Sequence, residues 1–250
     1  MGEINGASTF AKGLRVLECF EAGAADLTMA DISRMTGFDR ATSRRLCLTL
    51  EDSGYLIRSN RTFRLAPRIV ALAGGYLSSH HIGKVIQPVL NQLAESLHGD
   101  VAMAVRDGTR AVYVARSAVS TARLSFGFSV GSTLPLLPTA IGRMLLAQCP
   151  EPQRDVVISA CVPTAFTPQT ETAPDILRLK IIEAAREGYA FASNEFELGT
   201  AGVAVGCGYI NGCEAALGVT EAVTHFEHPG RIAEVLDLLS KAAIGLKRHV

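Results

Sequence analysis

The sequence predicts an α+β protein in two parts, an N-terminal winged helix-turn-helix followed by a larger domain in which helices flank an antiparallel sheet. Three observations carry that prediction. Amphipathic helical stretches succeed one another before Asp52, the second and third separated only by Gly37-Phe38-Asp39. Arginines crowd the run from Arg40 to Arg68 although the whole chain has a formal net charge of zero. Beyond Gly99 the apolar period changes from 3.6 to 2, with the turn dipeptides Asp107-Gly108 and Asn211-Gly212 set between alternating runs.

The bulk composition sets limits on function. A chain of 250 residues with 48% hydrophobic content suits one or two domains with substantial cores. Zero net charge argues against a protein that coats nucleic acid and leaves room for a locally basic module. The sequence shows neither a charged-then-apolar leader nor an apolar run long enough to span a bilayer, so the expectation is a cytoplasmic chain with no membrane partner. Cys19, Cys47, Cys149, Cys161, Cys207 and Cys213 include no CxxC pair and read as small buried hydrophobes. A zinc site from Cys207, Cys213, His225 and His228 is chemically conceivable, but the spacing fits no common pattern, and no cofactor is expected. With no tryptophan, stacking platforms for single-stranded nucleic acid are not expected.

In chain order, residues 10–20 carry an apolar stripe of Phe10, Leu14, Leu17 and Phe20 and predict the first helix. Thr28 is placed to cap a second helix, MADISRMT, that stops at Gly37, and Asp39 to cap a third, RATSRRLCLTLED, that stops at Gly54. Two helices joined by a three-residue turn containing glycine form the helix-turn-helix plan, whose second helix enters the major groove. On a helical wheel Ser43, Leu46, Cys47 and Leu50 share the packing face, while Ala41, Arg44, Arg45 and Leu48 lie opposite, with Arg40 and Thr42 at the margins. Residues 55–57 and 62–65 predict a hairpin, or wing, around a polar turn containing Arg58 and Arg61. From Phe38 to Arg68, seven arginines face Asp39, Glu51 and Asp52, so the positive excess is local to the element that needs it. The predicted DNA-contact set is Thr28, Arg40, Ala41, Thr42, Arg44, Arg45, Arg58 and Arg61.

The run GLRVLECF, followed by LTMADISRMTGFDRATSRRLCLTLEDSGYLIRSNRTFRLAPRIVALA, resembles the winged-helix domain of the isocitrate lyase regulator (IclR) family of bacterial transcription factors. The shared features are the glycine before the third helix, Arg45-Leu46, the Thr-Leu-Glu run, Gly54-Tyr55 and Leu65-x-Pro67. Ser43 departs from the family, which usually carries an aliphatic residue there. The resemblance continues through LPLLPTAIGRMLLA, EGYAFASNEFELGTAGVAVGCGY and AALGVT, the family's effector-domain motifs, and implies a GAF-like α/β effector-binding domain. Within the family it is nearest the branch responding to aromatic acids, on ARLSF, VGSTLPLLPTAIGRMLLA and EFELG. Domains are therefore expected at 1–66 (winged helix), 67–78 (linker helix) and 79–250 (effector domain).

Residues 67–76 predict the linker helix, ending near Gly74-Gly75, and residues 82–97 a second long helix. Strands follow at 101–105, 111–114 and 124–130, then a helix at 139–148 capped by Thr139. Residues 174–187 predict a helix, 189–192, 202–208 and 215–220 strands, and 232–246 the closing helix. The two glycines of Val205-Gly206-Cys207-Gly208 predict a bulge or a close backbone approach. No G-x-S-x-G elbow, H-E-x-x-H, P-loop or strand-borne G-x-G-x-x-G is present, so no active site is assigned.

Carried over by motif, the family's effector site implies a wall from Leu124 and Phe126, a floor from Leu136, Ala140, Ile141 and Met144, and a rim from Ala192, Asn194, Glu195, Thr200, Gly202, Gly218 and Thr220. Each has an alternative as core or turn. Where relatives that bind small acids carry an acid, a cysteine and a serine, this chain has Ala192, Gly202 and Gly218. The smaller side chains favour a bulkier, flatter acid. Arg116 or Arg123 offers a bidentate partner for a carboxylate, against the favoured alternative of surface charge. The function expected is a ligand-responsive regulator that binds operator DNA as a dimer or dimer of dimers and senses a small organic acid, with repression and activation equally compatible. The alternatives are a small hydrolase or thiol enzyme with an auxiliary DNA-binding module, and a metal or redox sensor.

Overall fold

The computed structural model describes residues 8–21, 23–79, 82–119, 128–210 and 212–247. It divides into two compact units, Met1–Tyr76 and Leu77–Val250. In the first, α1 (Ser8–Glu18), β1 (Leu27–Thr28), α2 (Met29–Thr36), α3 (Arg40–Asp52), β2 (Leu56–Ser59) and β3 (Thr62–Leu65) surround a core that includes Val16, Phe20, Ile32, Leu46, Leu56 and Phe63. Local chemistry sets the helix ends. Thr28 and Asp31 form a reciprocal capping box at the start of α2, and Gly37, at φ 72°, closes that helix in the left-handed conformation that glycine adopts without strain. The Asp39 carboxylate accepts the Thr42 amide at 2.8 Å and starts α3. Ser43, which departs from the family pattern, is fully buried and accepts a hydrogen bond from Ser33 Oγ at 3.0 Å, so a polar link joins α2 to α3.

One expectation for α1 fails. Phe20 is buried and Leu17 partly so, but Phe10 is 71% exposed and Leu14 is also exposed; the packing face runs through Val16, Cys19 and Phe20. Those residues also follow helical spacing, and periodicity alone cannot choose between two adjacent apolar stripes. In the wing, β2 and β3 pair antiparallel with Leu56 opposite Leu65 and Arg58 opposite Phe63. The two-residue β1 adds a third strand along β3, too short to leave a periodic signal.

The linker helix α4 (Arg68–Ser79) continues through Gly74-Gly75 instead of ending there. Glycine weakens a helix but ends it only where the backbone turns left-handed, and neither residue has positive φ. The single helix expected at 82–97 is a π-helical turn, Ile82–Ile86, followed by α5 (Gln87–Leu97). Pro88 supplies the reason: without an N–H it cannot make the i to i−4 bond, and the register changes just before it.

The second unit continues as β4 (Asp100–Asp107), β5 (Arg110–Ala118), β6 (Thr133–Pro135), α6 (Ala140–Gln148), α7 (Glu151–Ala160), α8 (Pro174–Glu187), β7 (Tyr189–Ser193), β8 (Thr200–Ile210), β9 (Cys213–Ala222), α9 (Val223–Phe226) and α10 (Arg231–Leu246). The strands form one six-stranded antiparallel sheet, ordered β6-β5-β4-β9-β8-β7. Its two faces differ in side-chain size. One carries Val101, Met103, Val203, Val205, Leu217 and Val219 in a core shared with α5 and α10. The other carries Ala104, Ala190, Ala204 and Ala216 in a core shared with α6 and α8. Small side chains let α6 lie close to the sheet.

The bulge expected in β8 is present: register shifts between Gly206 and Gly208. The close approach is present as well, because a Cβ on Gly206 would sit 2.5 Å from Gln148 Oε1. That oxygen accepts the Gly208 amide at 2.9 Å while Gln148 Nε2 donates to the Ala215 carbonyl at 2.8 Å, tying the end of α6 into the bulge. Helices α7 and α9 were not expected. The strand expected at 124–130 lies largely outside the described residues.

Candidate nucleic-acid interface and ligand cavity

Helix α3 and the wing present one basic surface. Strand alternation puts Arg58 on the same side of the wing as Leu56, which is buried, and puts Ile57 on the other side. Arg58 therefore turns toward α3, and Thr28, Arg40, Arg44, Arg58 and Arg61 line a single shallow concavity. Ala41, Arg44 and Arg45 line a second hollow along the opposite flank of α3 with Asp52, so Arg44 belongs to both. Arg40, Arg44, Arg45, Arg58, Arg61 and Arg64 make no ion pair among the described residues. Two of the predicted contacts are already engaged. The Thr28 hydroxyl donates to Asp31 at 2.6 Å, and the Thr42 hydroxyl donates to Asp39 at 2.7 Å. Arg68, counted in the local charge excess, donates to the Ser53 carbonyl at 2.6 Å and lies over the Tyr55 ring, which braces the exit from the wing.

In the second unit a cavity of about 70 Å³ opens between the start of α6 and the small-residue face of the sheet. One water needs about 10–15 Å³ by the same measure, so there is room for a small molecule. Ala140, Ile141, Ala192, Asn194, Glu195, Thr200, Gly202, Gly218 and Thr220 all line it. Leu136 and Met144 do not; both are buried in the core on that face of the sheet. Leu124, Phe126 and Arg123 lie outside the described residues. Asp100, Tyr113, Phe128, Leu134, Thr139 and Phe196 line the cavity too, and sequence reasoning missed them. The aromatic members form a connected wall, Tyr113 edge-on to Phe128 and Phe128 tilted against Phe196, each with centroids 6.2 Å apart.

Polar groups at the cavity divide into occupied and free. Asn194 is spent on the β7–β8 loop, where its Oδ1 accepts the Gly199 amide at 2.7 Å, and Thr200 donates to the Glu197 carbonyl at 2.9 Å. Glu195 is only 6% exposed, receives both terminal nitrogens of Arg143 and also pairs with Lys180. Burial alone would raise the Glu195 carboxyl, but Arg143 and Lys180 outweigh it and hold the group below its ordinary range. Arg143, 2% exposed, is completed by a bond from Nε to the Leu137 carbonyl at 2.7 Å. Still free among the described residues are the Ala140 and Ile141 amides at the first turn of α6, the Tyr113 and Thr220 hydroxyls, and the Glu197 carboxyl, which burial raises.

Arg116 is neither surface charge nor a waiting ligand partner, contrary to both expectations. It grips Asp100 through two nitrogens and donates its third to the Phe128 carbonyl at 2.6 Å. Burial raises the Asp100 carboxyl and Arg116 offsets part of that rise. Burial also raises the Tyr113 phenol, with Asp100 adding to it.

The thiols are arranged for packing. Burial pushes Cys47 and Cys149 up to about 11 and Cys207 to about 12, far from the thiolate range that reactive cysteines occupy. Among the described residues no cluster of histidine, cysteine or carboxylate side chains could hold a metal ion. No helix among them is long and apolar enough to cross a membrane.

Comparison with known proteins matches residues 9–59 to the IclR helix-turn-helix domain and residues 74–248 to the bacterial transcriptional regulator IclR C-terminal family. The chain is 32% identical over 204 residues to the Pca regulon regulatory protein of Pseudomonas putida, covering 82% of this chain and 70% of that one. It is 31% identical over 246 residues to the p-hydroxybenzoate hydroxylase transcriptional activator of Acinetobacter baylyi, covering 96% and 90%. Among solved structures, an IclR homologue from Microbacterium hydrocarbonoxydans complexed with 4-hydroxybenzoate superposes with a TM-score of 0.78 at 26% identity, covering 96% of this chain and 98% of that one.

Proposed function

The chain belongs to the IclR family of bacterial transcriptional regulators, and from that premise we propose that it binds operator DNA in the cytoplasm as a symmetric oligomer, with DNA contact controlled by an aromatic carboxylic acid in the cavity beside α6. One observation carries the reading. Among the described residues the arginines of α3 and the wing make no ion pair, whereas Arg106, Arg116, Arg143 and Arg231 in the other unit are all paired with buried carboxylates. Net zero charge thus coexists with a cluster of unpaired arginines where phosphates must be met, while the buried arginines of the other unit are neutralised.

For the effector, the aromatic wall supports a flat ring, and the free Ala140 and Ile141 amides with the Thr220 hydroxyl suit a carboxylate at the positive end of the α6 dipole. Ala192, Gly202 and Gly218 add almost no side-chain volume on the sheet side of the cavity, which lets Ala140 and Ile141 of α6 approach it. Self-association is supported by α4, an apolar helix with no buried residue in the single chain, and by the exposed Phe10 and Leu14 of α1. A two-fold protein matches palindromic half-sites, which one winged helix cannot read alone. Effector binding would shift the DNA-bound population by a coupling on the order of 1 to 3 kcal/mol.

The test is a footprint of the full chain on DNA upstream of its own gene, repeated with aromatic acids and with pyruvate-sized acids. Two protected half-sites whose occupancy responds to aromatic acids are expected. Absence of protection at moderate salt, or a response to short aliphatic acids alone, would sink the reading.

A further inference from the structure

Building on the aromatic-acid reading above, we propose that the Asp100 carboxylate, locked in place by Arg116, reads a ring hydroxyl placed para to the ligand's carboxylate. The sheet register supplies the geometry. Gly202 pairs with Thr220 and Thr220 with Asp100, so the three lie in one row across β8, β9 and β4. The first turn of α6 stands over one end of that row, because a Cβ on Gly202 would lie 3.5 Å from the Ala140 Cβ. Two strand spacings put Asp100 roughly 9–10 Å from Gly202. The carboxylate and hydroxyl oxygens of a para-hydroxylated aromatic acid lie about 6 Å apart, so with a hydrogen bond of about 2.7–3.0 Å beyond each it bridges groups about 12 Å apart. The Asp100 carboxylate extends the row toward that reach, because Arg116 draws it to the β5 side of β4, away from β9 and β8.

The chemistry of the two ends differs. At α6 the free groups are amide donors; at Asp100 the free group is an acceptor. Arg116 uses its nitrogens on Asp100 and on the Phe128 carbonyl, so it is not available to a ligand carboxylate. Asp100 keeps acceptor capacity, since an ionised carboxylate has about four lone-pair positions and Arg116 occupies only part of them. A phenolic O–H directed at Asp100 completes the pair, a bare ring leaves the carboxylate unpaired on its cavity side, and a second carboxylate there meets like charge. The ligand class is thus para-hydroxylated aromatic monocarboxylates, with Asp100 the specificity-determining residue.

The experiment is calorimetric titration of the full chain with 4-hydroxybenzoate, benzoate and benzene-1,4-dicarboxylate, for wild type and for the double variant Asp100→Leu with Arg116→Met. Wild type should bind 4-hydroxybenzoate about ten- to a hundredfold more tightly than benzoate, the worth of a hydrogen bond to a charged group. The dicarboxylate should not bind measurably, and the double variant should bind 4-hydroxybenzoate and benzoate alike. If that variant does not melt cooperatively, Asp100→Asn, which keeps one acceptor oxygen, should narrow the preference. Equal wild-type affinity for 4-hydroxybenzoate and benzoate, or a preference that survives these substitutions, overturns the assignment and leaves the aromatic-effector reading standing. Failure of all three acids to bind overturns both.

Discussion

Among single residues, the arginines of the basic surface separate by position. Arg40 and Arg44 rise from the N-terminal half of α3 into the concavity that Arg58 and Arg61 close from the wing. Helix-borne cations can reach base edges, while wing-borne ones meet phosphates. Replacing Arg44 by alanine should cost about 1–3 kcal/mol on a matched operator and relax preference at one position, whereas Arg58→Ala should weaken all duplexes alike and reduce the salt slope by about 1. Competition assays with matched and scrambled DNA at several salt concentrations would decide; equal loss of preference from both variants refutes the division. A second residue-scale expectation concerns Glu195. Its folded carboxyl lies below the ordinary value of 4.5, so its stabilisation is complete above that pH and is lost as pH falls through the lower folded value. Glu195→Gln should therefore be less stable than wild type at neutral pH and lose less stability between pH 5 and about 3, as read by thermal melts. Arg143→Ala leaves the buried Glu195 carboxylate with only Lys180 and the Glu171 amide and should cost about 3 kcal/mol, the lower end of the range for breaking a buried ion pair.

For the elements, α6 is the pivotal one. Its N-terminus is capped by Thr139, whose hydroxyl accepts the Gly142 amide at 3.1 Å, and its C-terminus is held in the β8 bulge by Gln148. A Cβ on Gly142 would lie 2.4 Å from the Leu136 backbone, so no side-chain rotation could accommodate it. Gly142→Ala should lift the start of α6, destabilise by about 1–3 kcal/mol and abolish the thermal shift given by effector. A Gly142→Ala protein with wild-type melting and ligand response would show that this close approach does not position the cavity. Much of this element was legible beforehand: Thr139 as its cap, its extent to Gln148 and the glycine bulge opposite all follow from short-range pattern. What seats it was not legible, because the small face of the sheet is assembled from alanines and glycines on strands far apart in sequence.

In the protein taken whole, α4 has no buried residue. Val70 is 71% and Leu72 59% exposed on a helix that joins the two units, an arrangement that favours burial against a second copy. Sedimentation of Val70→Ser with Leu72→Ser should show a shift toward monomer and a loss of operator affinity larger than either loss on half-site DNA. A variant that keeps the wild-type oligomer would place the contact on another surface.

The sequence by itself determined the order of parts, a winged helix-turn-helix before an antiparallel-sheet domain, and the helix that turns its cations outward. Those features depend on caps, turns and periodicity within a few residues, which local physics specifies. Only the tertiary structure decided which charges remain free and which cancel. Arg116 finds Asp100 sixteen positions away and Arg143 finds Glu195 fifty-two positions away, while Tyr113, Phe128 and Phe196 meet in one wall from three separate segments. Periodicity assigns a residue to a face; its neighbour across space is set by how strands and helices close on one another.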